Sequence, residues 1–201
     1  MSEKTSNRGR PRAFDRTAAL DAAMKVFWQK GFTATSMNDL CEAMEIGSPS
    51  LYAAFGSKEQ LYAEAIRRYG EKGVPQIRDA LDSAPTAKLG VEAFLRLAAR
   101  SLACPDRPSG CMVALSSVAS EGVAGLAAMV VEERKKALKL LEARLRRGIK
   151  EGDLSPGTDV KSLARFFVTL QQGMSIQARD GATPRQLDAV ATAAMQAWPA
   201  G

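Results

Sequence analysis

The sequence predicts an all-α protein, and three observations carry that expectation. Apolar residues recur at three- and four-residue spacing along most of the chain. No stretch of any length alternates apolar and polar residues as a half-buried strand would. Glycine and proline fall between segments of helical length. With 201 residues, 46% of them hydrophobic and 25% charged, the chain can build one or two domains with real cores.

Residues 1–12 (MSEKTSNRGRPR) are polar and basic, without apolar period, and read as a flexible arm. A first helix is expected over 16–30. Asp15 is its cap, Leu20, Ala23, Met24 and Phe27 form its apolar stripe, and Gly31 ends it. A second, short helix spans 36–44, capped by Thr35 or Ser36, with Met37, Leu40, Cys41 and Met44 inward. After a tight turn at Glu45, Ile46 and Gly47, Ser48 reads as the cap of a third helix over 49–55. Pro49 lies in its first turn, where a missing N–H costs nothing. Leu51 and Phe55 anchor this helix. Ser57 and Gln60 form a capping box for a fourth helix through Tyr69.

Short helices joined by a tight turn have the outline of a helix-turn-helix. Such a unit enters the DNA major groove only if the recognition helix presents small or polar groups outward. The outer face of the third helix offers Ser48, Pro49, Ser50, Tyr52 and Ala53, and none of these is charged.

Residues 16–61 resemble the reading head of the TetR family of transcriptional regulators. Arg16, Ala19-Leu20, Ala22-Ala23, Val26-Phe27, Gly31 and Phe32 carry the match. So do Thr35-Ser36-Met37, Asp39-Leu40, Ile46, Ser50-Leu51-Tyr52, Phe55 and the run from Ser57 to Leu61. The ordered set extends without gaps over roughly a quarter of the chain, a far more specific signal than a lone helix-turn-helix pattern. The resemblance implies that Thr35 or Ser36 holds a phosphate, that Gly47, Ser48, Pro49, Ser50, Tyr52 and Ala53 face the groove, and that Lys58 pairs with a phosphate at a helix N-terminus. The chain departs from the family at Glu45, where glycine is usual, at Cys41 and Met44, which replace alanines, at Pro49, and at Ala53 and Ala54. A left-handed backbone at Glu45 is expected to store about 1–2 kcal/mol. These departures bear on which DNA sequence is read.

Half of the net charge of +6 lies within residues 1–16. There Arg8-Gly9-Arg10-Pro11 matches the core of the AT-hook, which places arginines in narrow A·T-rich minor grooves. Arg8, Arg10 and Arg12 are therefore candidate DNA contacts. Read as a generic basic tail, the arm would still add phosphate contacts.

The organisation expected is a basic arm (1–12), a helix-turn-helix domain (13–58) and a helical effector-binding and dimerisation domain (59–201). Further helices are expected over 74–83, 87–103, 111–121, 123–151, 159–180 and 184–198. The resemblance implies that the last two helices pair with their copies in a homodimer. Phe166, Leu170, Met174, Leu187, Val190, Ala191, Ala194 and Met195 are candidates for that interface. It also implies a small-molecule pocket among the middle helices, for which Phe94, Leu97, Leu102, Met112, Leu115, Ser116, Met129 and Gln171 are candidates. The long helix from residue 123 carries many charges, including Arg134 and Arg144, and reads as a solvated face with Glu132 and Lys136 paired.

Cys104 and Cys111 flank a proline-rich loop near Arg107 and are candidate redox or electrophile-sensing thiols. The chain contains no histidine, which excludes Ser-His-Asp chemistry and any His-ligated metal. No enzyme activity, cofactor or metal is expected. Three cysteines suit a reducing compartment rather than a disulfide framework, no signal segment opens the chain, and no apolar run spans a bilayer. The expected location is cytoplasmic. The partners expected are double-stranded operator DNA, a small-molecule effector and a second copy of the chain. The reading is a ligand-responsive repressor, with two alternatives: a thiol-based sensor and an architectural A·T-rich DNA binder without a sensor.

Overall fold

The computed structural model describes residues 14–118 and 122–199. Among them are α1 (Arg16–Lys30), α2 (Met37–Met44), α3 (Ser48–Phe55), α4 (Lys58–Asp82), α5 (Ala87–Leu102), α6 (Ala124–Glu151), α7 (Val160–Arg179) and α8 (Pro184–Ala194). A 3-10 turn, Met195–Ala197, follows α8. No strand occurs among the described residues.

The head helices start and stop where local chemistry dictates. The Asp15 carboxylate accepts from the Thr17 and Ala18 N–H groups. Gly31 follows α1 at φ 82 and ψ 179, a region essentially reserved for glycine. Ser36 and Asp39 cap α2 reciprocally. Lys30, then Ser36, hold the Asp39 carboxyl at about 2, below its ordinary 3.8. That box therefore stands above the ordinary value and is lost as pH falls toward about 2.

Glu45 closes α2 in the left-handed conformation, at φ 54 and ψ 36, and Ile46 N–H reaches back to Cys41 O at 3.1 Å. This is a Schellman ending built on a residue with a Cβ. Strain of about 1–2 kcal/mol is partly offset by the lower chain entropy glutamate loses relative to glycine, about 0.5–1 kcal/mol. Glu45→Gly is accordingly expected to stabilise the head by up to about 1 kcal/mol, read by urea unfolding. A loss of stability would show that the Glu45 side chain contributes more than the strain costs.

Three expectations need correction. Gly47, not Ser48, is the N-cap of α3, so Ser48 and Pro49 occupy its first turn, and Ser48 Oγ lies 3.4 Å from Cys41 Sγ. The helix starting at Lys58 does not stop near Tyr69: α4 continues through Pro75 to Asp82. Proline removes one helical hydrogen bond, but Ile77 and Leu81 beyond it are packed into the body core, and their burial keeps the axis running. Over its described part, 111–118, the helix expected at 111–121 does not form. Residues 111–118 make turns instead, and Arg134 supplies the donors that a helix would have: it bonds the carbonyls of Val113, Ala114 and Ser116 at 3.0, 3.2 and 2.6 Å.

The charged face of α6 is also less solvated than expected. Arg134 turns to those carbonyls and Arg144 is fully buried. Glu132 pairs with Lys135 and Glu133 with Lys136, both i,i+3, rather than Glu132 with Lys136.

Two apolar cores result. The head core joins α1, α2, α3 and the start of α4, and extends to Met112, Val113, Val118, Leu126 and Val130. The body core joins the end of α4 with α5, α6, α7 and α8. α4 crosses the expected domain boundary at residue 58 and enters both cores, a rod about 37 Å long at 1.5 Å per residue. Cys111 packs against both.

The dimerisation candidates divide. Met174, Leu187, Ala191, Ala194 and Met195 are buried in the single chain and belong to its own core. Leu170 is half-buried. Phe166 and Val190 are exposed, as is Ile176, which helical period alone does not single out. The stripe with the strongest period is the one a monomer buries first, so these positions serve the chain's own core.

Candidate functional site

The candidate reading face is that of α3. Leu51 and Phe55 are buried and fix the helix on the head core. Their burial leaves Gly47, Ser48, Pro49, Ser50, Tyr52 and Ala53 on the outside, all exposed, with Tyr52 at 50% of its full area. The expected groove-facing set thus lies on one uncharged, mostly small face.

The flanking candidates fare differently. Ser36 is exposed and caps α2, where backbone donors converge on any anion. Thr35 is buried, and its hydroxyl donates to Gly31 O at 2.6 Å, so it offers nothing to a phosphate and instead secures the α1–α2 turn. Lys58 stands at the start of α4 with Nζ 4.6 Å from the Phe32 ring centroid, close to the reading face. Arg16 ties α1 to α3 and α4 through Ala54 O at 3.1 Å and Glu64 at 2.9 Å. Arg8, Arg10 and Arg12 lie outside the described residues.

A second site is a cavity of about 310 Å³ at the seam between the two cores. Met24 and Trp28 of α1 line it from the head side, and Phe94, Leu102 and Val168 from the body side. Of the expected ligand residues, Phe94, Leu97, Leu102 and Gln171 line it. Met112, Leu115, Ser116 and Met129 do not. Met112 and Met129 pack with the head core, and Ser116 shares a hydrogen bond with the Tyr62 hydroxyl at 2.8 Å. Trp28, Tyr69, Arg107 and Arg134 also line it and were not expected to.

The cysteines separate as well. Cys111 lines the cavity beside the Tyr69 hydroxyl, whereas Cys104 is not part of its wall and has its thiol 4.0 Å from an Asp106 carboxylate oxygen. All three cysteines are free. Burial, then the adjacent Cys111, pushes the Tyr69 hydroxyl well above its ordinary 10, so it stays neutral.

The cavity is wired to the reading head. The Trp28 indole N–H donates to Gly110 O at 3.1 Å, and the ring meets Tyr69 edge-on at 4.9 Å. Gly110 has φ 78, and an added Cβ would stand 2.8 Å from Ser175 O, so glycine is required for this approach. Arg179, at the end of α7, donates to the Trp28 and Gln29 carbonyls at 2.9 and 3.0 Å, capping the C-terminus of α1 from the body. Asp21 of α1 accepts from Arg68 at 3.0 Å and Lys72 at 2.8 Å, both on α4. Arg68, then burial working against it, leaves that carboxyl below its usual range.

Comparison with known proteins places both parts of the chain in one family. The family model "Bacterial regulatory proteins, tetR family" matches residues 19–65, and "Tetracyclin repressor-like, C-terminal domain" matches residues 87–194. The HTH-type transcriptional repressor ComR of Escherichia coli (strain K12) is 34% identical over 195 residues, covering 96% of this chain and 93% of that protein. The repressor BdcR of the same strain is 32% identical over 190 residues, covering 94% and 91%. A cysteine mutant of the TetR family transcriptional regulator CifR, solved in complex with 26 bp double-strand operator DNA, superposes with a TM-score of 0.88. It is 44% identical and covers 95% of this chain and 100% of that one.

Proposed function

The chain belongs to the tetR family of bacterial regulatory proteins, and from that premise we propose that it is a homodimeric repressor whose α3 helices read a palindromic operator and whose seam cavity takes the effector. It is a DNA-binding transcriptional regulator, as its relatives are named repressors. The observation that carries the mechanism is the position of the cavity. It touches α1 of the reading head and α5 and α7 of the body at once. An occupant wedged between two cores shifts the head relative to the body only if it binds the two arrangements with different affinity. α4 and the Arg179 cap are the rigid links through which the shift would pass. The exposed faces of α7 and α8, including Phe166, Ile176 and Val190, are the surfaces for the partner copy. No described helix is long and apolar enough to cross a membrane, and we place the protein's work at the operator in the cytoplasm.

The thiol-based alternative narrows to Cys111, which alone of the two candidate cysteines borders the cavity. The arm-led architectural alternative makes a distinct prediction. Selection from random duplex DNA by the full chain is expected to enrich one inverted repeat at both low and high salt. Deleting residues 1–12 is expected to weaken that complex and flatten its salt dependence, by roughly 0.9 in log–log slope for each phosphate no longer neutralised, while the same repeat is still selected. Pattern-free or generally A·T-rich selection, abolished by the deletion, would establish the architectural reading instead.

A further inference from the structure

Resting on the reading of the seam cavity as the effector site, we propose that its effector is a small apolar molecule carrying one carboxylate, received by the Arg107 guanidinium. The charge of the wall points to an anion. Lys25, Lys72, Lys136, Arg107 and Arg134 line the cavity against a single carboxylate, Glu133. Glu133 is taken by Lys136 at 2.6 Å, and Lys72 is taken by Asp21 at 2.8 Å from outside the wall. Neither Arg107, Arg134 nor Lys25 has a carboxylate within 4.0 Å among the described residues.

Of these three, only Arg107 is both partly buried and short of acceptors. Arg134 is spent on three backbone carbonyls, and Lys25 is exposed. Arg107 donates from Nη2 to Ser101 O at 3.0 Å, while its Nε is shut off from solvent with no acceptor. Its charge rests 5.8 Å from the Trp28 ring centroid. A guanidinium presents a planar fork suited to two carboxylate oxygens, and the unpartnered Nε marks where this side chain lacks an acceptor. The neutral Tyr69 hydroxyl, hydrogen-bonded with Cys111, is a further polar group on the same wall. Phe94, Leu97, Ala98, Leu102 and Val168 make an apolar stretch of the wall that suits a hydrocarbon or aryl body. The head-group end is also the end that touches Trp28 and hence α1, so the anion would bind where the reading head is held.

The test is calorimetric titration of the full-length protein with matched probes: octanoate against 1-octanol, and 4-phenylbutyrate against 4-phenylbutan-1-ol. Each acid is expected to bind at least about tenfold more tightly than its alcohol, the scale of one charge-assisted hydrogen bond. Arg107→Met is expected to bring the acids down to the alcohols and leave the alcohols within about twofold, whereas Arg107→Lys retains part of the preference. The acid–alcohol comparison on the unaltered protein decides the matter even where a variant fails to fold. Acids and alcohols binding equally well would overturn the carboxylate assignment and leave the cavity as effector site. Binding of neither member of either pair would overturn the effector-site reading and this proposal with it.

Discussion

Replacing Arg144 with alanine is expected to destabilise the protein by about 3–5 kcal/mol, the cost of breaking a buried charge network by removing one member. The Arg144 side chain is 1% exposed. Its Nε donates to Leu81 O at 3.0 Å and Nη2 to Ala84 O at 3.4 Å, the carbonyls where α4 ends and the turn into α5 begins. The guanidinium also faces the carboxylates of Asp153 at 3.6 Å and Glu151 at 3.5 Å. Asp153 in turn accepts from the Ala87 N–H at the start of α5, at 3.0 Å. One side chain therefore joins three helices. Alanine leaves two orphaned carbonyls, a part-buried carboxylate without its cation, and a void. At about 2–4 °C per kcal/mol for a chain of this size, the melting temperature should fall by about 6–20 °C, measured at fixed protein concentration. The double variant with Asp153→Asn should cost less than the sum of the two single changes. A loss under about 1 kcal/mol for Arg144→Ala would mean that water or neighbouring groups replace the guanidinium readily.

Ser50→Glu is expected to lower operator affinity at least about a hundredfold while leaving the fold intact, because a carboxylate set against phosphates costs several kcal/mol. The choice of position separates binding from stability. Ser50 is exposed and occupies the third residue of α3. There an acidic side chain favours the helix through its free N–H groups and dipole, so a loss of binding cannot be charged to unfolding. Ser155→Glu, on the exposed link between α6 and α7, adds the same charge far from the reading face and should leave affinity nearly unchanged. Fluorescence anisotropy on the selected operator at one fixed salt concentration reads both variants. If Ser50→Glu binds within about tenfold of the unaltered protein, α3 does not enter the groove.

What the sequence determined by itself is local. α1 begins after Asp15 and ends before Gly31, and α2 and α4 carry capping boxes, because caps and left-handed stops are settled within a few residues. The exposure of Ser50, Tyr52 and Ala53 followed from the burial of Leu51 and Phe55 on the same short helix, again a local matter of period. The all-α class and the reading head were legible on those terms.

Tertiary structure decided the rest, because it depended on partners far along the chain. The helix through Tyr69 and the one over 74–83 read as separate until Ile77 and Leu81, beyond Pro75, are seen packed in the body core. Residues 111–118 read as helix until Arg134 is seen to take their carbonyls. The stripe of Leu187, Ala191 and Ala194, assigned to the partner copy on the family resemblance, is consumed by its own monomer. The cavity joins Trp28 to Arg107 and Val168, a meeting of residues that no spacing encodes. Helical period marks a face as apolar; which surface covers that face is set by the competition of all the others for the same burial, and only the assembled chain resolves it.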